Sequence, residues 1–131
     1  MATLDDVARL ASGLPEVTEG ERYRGWRAWA VRQTVFAWER PFSKADVRRF
    51  GDVPVPGGPI LAVSTEDLQE KESVLAAHPE ACLTIPHLDG YPAVLVRLDV
   101  VGDAALRELL VDAWFAKAPR RLAEEHRELL A

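Results

Sequence analysis

Hydrophobic and polar positions alternate at two different periods along this chain, and the switch between them predicts its elements. Leu4, Val7, Ala8 and Ala11 recur at helical spacing, and Leu14 continues the stripe. Thr3, with Asp6 three residues on, supplies a capping box at the start, while Gly13 and Pro15 stop the helix. From Val17 to Glu39 the residues are those that favour a pleated surface, and Gly20 and Gly25 punctuate them. Three short antiparallel strands are expected near 17–24, 26–31 and 34–39, the last two joined by a tight turn at Arg32-Gln33. Trp26, Ala28 and Ala30 would share one face, and Arg27, Trp29 and Val31 the other. Each face carries a Trp, so the pattern leaves the core face open.

The second half is read the same way. Ser43 caps a short helix, Lys44 to Phe50, closed by Gly51. Asp52–Pro59 is a loop, because three prolines and two glycines sustain neither ladder nor helix. Ile60–Val63 is a strand. Thr65 is expected to cap a helix from about Glu66 to Ala77, whose thin apolar edge (Leu68, Val74, Leu75) predicts a surface position. Cys82–Ile85 is a strand, Pro86–Pro92 a turn centred on Asp89-Gly90, and Ala93–Val101 a half-buried strand with Val94, Val96, Leu98 and Val100 on one face. Asp103 caps a helix striped with Leu106, Leu109, Leu110, Ala113 and Trp114, and Pro119 starts a last one through Leu122, His126, Leu129 and Leu130. Strands follow one another too closely in the first half for crossover helices. The fold class is therefore α+β, one domain over residues 1–131, with helices packed on an antiparallel sheet.

Charge changes this picture in one place. The chain is acidic, with 16 Lys and Arg, 21 Asp and Glu and a net charge of −5. Between Arg22 and Arg49, however, eight basic side chains stand against two acidic ones, a formal +6, and three of the four Trp lie in the same window. Guanidinium groups hold phosphate in bidentate fashion and aromatic rings stack bases. Arg22, Arg24, Arg27, Trp29, Arg40, Lys44, Arg48 and Arg49 are the candidate nucleic-acid contacts, with Trp26 as a further stacking surface. The alternative is a site for a small anionic ligand or peptide near the loop Asp52–Pro59, with His87 and Tyr91 as polar anchors.

Catalytic and metal chemistry finds little support. A single cysteine, Cys82, excludes an internal disulfide, fits a reducing cytoplasm, and reads as a buried structural residue. His87 and Asp89 lack the second ligand pair of a zinc site, and Gly57-Gly58 lacks the Lys-Ser/Thr of a phosphate loop. Glu16, Glu19 and Glu21 flank the first strand as possible acids or bases, and Glu66, Asp67, Glu70 and Glu72 form an acidic helix face read as solvated. No enzyme, cofactor or metal is expected. No signal peptide is visible, and no apolar run approaches the roughly 20 residues of a membrane span. A cytoplasmic monomer or weak homodimer is expected, the dimer forming through Trp114 and the last helix.

The stretches Leu14–Arg24 (LPEVTEGERYR), Phe36–Asp46 (FAWERPFSKAD), Ile85–Val100 (IPHLDGYPAVLVRLDV) and Leu106–Ala123 resemble the MmcQ/YjbR family. That resemblance implies a CyaY-like or secretion-chaperone-like domain, with helices on a curved antiparallel sheet. It also implies the DNA-binding role commonly attached to the family, and no catalytic residue.

Overall fold

The computed structural model describes residues 2–130, with the side chain of Tyr23 outside that description. Helix α1 (Leu4–Ser12) leads into β1 (Val17–Glu21), β2 (Arg27–Val31) and β3 (Thr34–Glu39). Helix α2 (Lys44–Phe50), β4 (Ile60–Ser64), α3 (Leu68–Ala77), β5 (Cys82–Leu83), β6 (Ala93–Arg97), α4 (Asp103–Lys117) and α5 (Arg120–Glu125) follow. The six strands form one antiparallel sheet in the order β1-β2-β3-β4-β6-β5. The α+β class and the antiparallel sheet are thus as expected.

Both capping boxes form. The Thr3 and Ser43 hydroxyls accept the backbone N–H of Asp6 and Asp46, and each carboxylate accepts the cap's own N–H in return. The turn between β2 and β3 sits at Arg32-Gln33, both at positive φ (44° and 73°), as a two-residue hairpin of matching twist requires.

Four expectations need correction. The first strand is shorter than 17–24, because the chain bends into a 3₁₀ turn at Tyr23–Gly25, where Arg24 and Gly25 take positive φ. Helix α3 begins at Leu68, capped by Asp67; the Thr65 hydroxyl instead donates to the Asp67 carbonyl. Gly102 is the cap of α4, and Asp103 is its first residue. The strand from Ala93 ends at Arg97 and is not half-buried: Ala93, Val94, Leu95 and Val96 are all fully buried.

That last difference reveals the layering. The sheet has an apolar cluster on each face. The larger contains Trp29, Val31, Phe36, Leu61, Val63, Val94 and Val96, covered by α1, α3, α4 and α5 through Val7, Val74, Leu75, Leu106, Leu110, Trp114 and Leu122. The smaller contains Ala28, Trp38, Ile60, Ala62, Ala93 and Leu95, covered by Phe42 and Phe50 around α2 and by Ile85 and Leu88 of the turn before β6. Phe42 and Phe50 meet edge to face at 5.3 Å. The open question about β2 is settled: Trp29 and Val31 face the large cluster, Ala28 the small one.

Trp114 offers no surface to the expected dimer contact. Trp114 is fully buried, and its indole N–H donates to the Pro15 carbonyl at 3.0 Å. The expected last helix divides into α5 and a 3₁₀ turn, Arg127–Leu130, with Leu129 packed on the core and Leu130 exposed. No helix among the described residues is long and apolar enough to cross a membrane.

Replacing Trp114 by Phe keeps the ring but strands the Pro15 carbonyl and leaves a gap. The expected loss is about 2–3 kcal/mol of unfolding free energy, against under about 0.5 kcal/mol for Leu130→Ala, both read by urea denaturation.

Candidate functional site

The small-cluster face is where the sheet is incompletely covered. A recess of about 700 Å³ opens there, and three chain segments line it. Arg22 and Trp26 come from the link between β1 and β2. Trp38 and Arg40 come from β3 and its exit, followed by Ser43, Ala45, Asp46 and Arg49 around α2. His87, Leu88 and Tyr91 come from the turn before β6.

Trp38 forms part of the floor. It is 9% exposed, packs in the small cluster opposite Ala28 on β2, and carries the Arg22 guanidinium over its ring at 4.9 Å. The wall formed by α2 is fixed by a buried carboxylate. Asp46 accepts the Ser43 backbone N–H at 2.9 Å, lies 3.0 Å from the Arg40 guanidinium and 3.7 Å from that of Arg49. Arg40 also donates to the Pro41 carbonyl. Burial pulls the Asp46 carboxyl upward, but the Ser43 N–H and hydroxyl together with Arg40 outweigh it and hold it below its ordinary value.

The opposite wall is held by a residue that the sequence hides. Lys71 lies on α3, a helix expected at the surface, yet it is 6% exposed. Its ammonium donates to the Leu88 carbonyl at 2.6 Å and the Tyr91 carbonyl at 2.8 Å, bracketing the turn that carries His87 and Tyr91. Burial pushes its pKa below that of a free lysine. Gly90, at φ 75°, lets the turn close, and β5 and β6 then pair from Leu83 and Leu95.

The expected residues separate into two groups. Arg22, Arg40 and Arg49 converge on the recess, and so do His87 and Tyr91, which the sequence had suggested for a different ligand. Lys44 and Arg48 are exposed on α2 beyond it, and Arg24 is exposed in the 3₁₀ turn. The loop Asp52–Pro59 contributes no lining residue.

Arg27 and Trp29 must be removed from the surface set. Trp29 is fully buried and donates its indole N–H to Glu19 at 3.0 Å. Arg27 donates to both Glu19 oxygens, at 2.9 and 3.1 Å, and to Asp5 at 3.0 Å, tying β1 and α1 together on the helix-covered face. The remaining cation of the window, Arg32, is held in bidentate fashion by Glu16 at 2.7 and 3.0 Å. Hydrogen bonds from these guanidinium groups hold the Glu16 and Glu19 carboxyls below their ordinary values, so neither is poised as a base near neutral pH. Cys82 is buried and desolvation pushes its thiol up to about 11, away from the thiolate that reactivity needs. Among the described residues, no three His, Cys, Asp or Glu gather as a metal site.

This architecture is that of a YjbR-type domain. The family model described as YjbR matches residues 12–116, and the chain belongs to that family. Uncharacterized protein Rv2570 of Mycobacterium tuberculosis and uncharacterized protein Mb2600 of Mycobacterium bovis are each 42% identical to it over 127 residues, covering 95% of both chains. Among solved structures, Deinococcus radiodurans protein DR2400, carrying the domain DUF419, superposes with a TM-score of 0.66 at 18% identity. The match covers 95% of this chain and 88% of that one. That likeness concerns the fold.

Asp46→Asn retains a cap but loses the ion pairs, at an expected cost of about 1–3 kcal/mol at pH 7. Because the folded pKa lies below the ordinary 3.8, the native contribution is complete above that value and is lost as pH falls through the folded one. The stabilities of the two proteins should therefore draw together only as the pH falls below 3.8. Lys71→Met removes one of two donors from each carbonyl, the Tyr91 N–H remaining on Leu88 and the Ala93 N–H on Tyr91. It is expected to cost about 2 kcal/mol and to speed hydrogen exchange selectively in residues 86–92.

Proposed function

We propose that this chain is a non-enzymatic binding module whose recess takes a small anionic ligand bearing a flat ring. One observation carries the reading: Arg22, Arg40 and Arg49 meet Trp26, Trp38, His87 and Tyr91 around a single concavity. Its 700 Å³ falls within the roughly 300–1,000 Å³ typical of small-molecule sites. Aromatic walls supply area for a ring, and guanidinium groups supply planar, bidentate anchors for phosphate or carboxylate. Two walls set by buried ionic contacts favour a pre-formed site, which lowers the ordering cost of binding.

The second reading is nucleic acid. It is favoured by Lys44 and Arg48, exposed on α2 on the far side of Arg49, which lengthen the positive surface beyond the recess. A strand end could seat a base in the recess and run its phosphates along α2. The net charge of −5 and the withdrawal of Arg27, Arg32 and Trp29 leave few contacts for sequence-independent wrapping of a duplex.

A thermal-shift screen followed by isothermal titration separates the two. Nucleotides, aromatic carboxylates and a 12-nucleotide single strand are the probes. A small ligand should raise the melting temperature at one-to-one stoichiometry, and Arg22→Ala should weaken it about ten-fold or more. Arg27→Ala should lower stability and leave affinity unchanged. Binding confined to the oligonucleotide, with an affinity that falls steeply with salt, would transfer the function to the second reading. No shift with any probe would end both.

A further inference from the structure

We infer that the recess is built for a doubly charged anion, a phosphate monoester carried on a flat ring, in preference to a singly charged carboxylate or phosphodiester. The inference rests on the reading of the recess as a ligand site and adds the charge and chemical class of its occupant.

The argument is one of charge accounting within the walls. Among the lining residues, three guanidinium groups face one carboxylate, that of Asp46. Asp46 is committed below the surface. It is 2% exposed, and its closest cation is Arg40, itself only 13% exposed in its side chain and further tied to the Pro41 carbonyl. Arg40 and Asp46 therefore form a neutral pair under the wall. Arg49 lies at a longer 3.7 Å from Asp46 and keeps half of its side chain exposed. Arg22 is exposed, with its guanidinium laid on Trp38. Two positive charges are thus presented to the recess, and no second lining carboxylate offsets them.

A phosphate monoester carries close to two negative charges above its second pKa of about 6, with three terminal oxygens for two forked donors. A carboxylate or diester carries one charge and leaves one guanidinium without a partner. The Trp38 face is already occupied by Arg22, which sets the phosphate end on that side. The lining residues His87 and Tyr91 are left for the ring.

The test is isothermal titration of the full chain at pH 8 with adenosine and uridine 5′-monophosphates, their 3′,5′-cyclic counterparts, the parent nucleosides and benzoate. The cyclic forms keep ring and phosphate but lose one charge and one terminal oxygen. The expected result is that an open 5′-monophosphate binds at least about ten-fold more tightly than its cyclic form. Arg22→Gln and Arg49→Gln should each bring that ratio to within about three-fold while circular dichroism stays native. Equal affinity for open and cyclic forms, or benzoate binding as well as the monophosphates, overturns the dianion inference and leaves the ligand site standing. Failure of every compound to bind removes both.

Discussion

The structure depends on one constraint: β4 and β6 are apolar at each of their first four positions and must be buried there on both faces. Ile60, Leu61, Ala62 and Val63 alternate between the two clusters, as do Ala93, Val94, Leu95 and Val96. Exposure of either set would cost roughly 1.5–3 kcal/mol for each large side chain. Four helices cover one face. The other is covered only by a seven-residue helix and a turn, each pinned over the sheet by a few aromatic and aliphatic side chains. So short a cover cannot extend over β2 and β3 as well, and the uncovered remainder above Trp38 is the recess. The site is thus a consequence of how the second face is closed.

Each segment of that cover is held in place by one buried ionic group. Asp46 completes the capping box of α2 and takes Arg40; Lys71 reaches from α3 to two carbonyls of the turn. Neither need add much net stability, because taking a charge out of water offsets most of the attraction. Their effect is positional. A buried carboxylate or ammonium tolerates few geometries, so the two segments that carry Arg49 on one side and His87 and Tyr91 on the other hold their spacing. Short apolar contacts alone would allow them to slide.

Local signals in the sequence carried far, and long-range ones did not. The capping boxes at Thr3 and Ser43, the turn at Arg32-Gln33 and the apolar stripe of α4 follow from neighbours within four residues, and each is found where the pattern puts it. The double burial of β6 was also legible in principle. Ala93-Val94-Leu95-Val96 is a continuous apolar run, the mark of a strand covered on both sides, and the alternation at Leu98 and Val100 drew attention away from it. What could not be read was which Trp faces which layer, since Trp26, Trp29 and Trp38 are alike as residues and differ only in what packs on them. The pairing of α2 with the turn near Leu88 spans some forty residues and leaves no local trace. Lys71 was hidden for a similar reason: on a helix rich in charge, nothing distinguishes a lysine that points inward.

These placements explain how a chain with a net charge of −5 can present a basic recess. Half of its carboxylates after residue 50 lie on α3, α4 and α5, which cover the other face of the sheet from α2; Asp89 lies in the turn but does not line the recess. The early carboxylates Asp5, Glu16 and Glu19 are consumed by Arg27 and Arg32 on the helix-covered side or at the strand edge. Solvent ions screen exposed charges more than about 8–10 Å apart. An approaching anion therefore responds to Arg22 and Arg49 and hardly to the distant acidic helices. Net charge, the quantity most easily taken from composition, is the wrong measure for such a molecule; what decides is which cations have been neutralised by a neighbour and which have been left facing the recess.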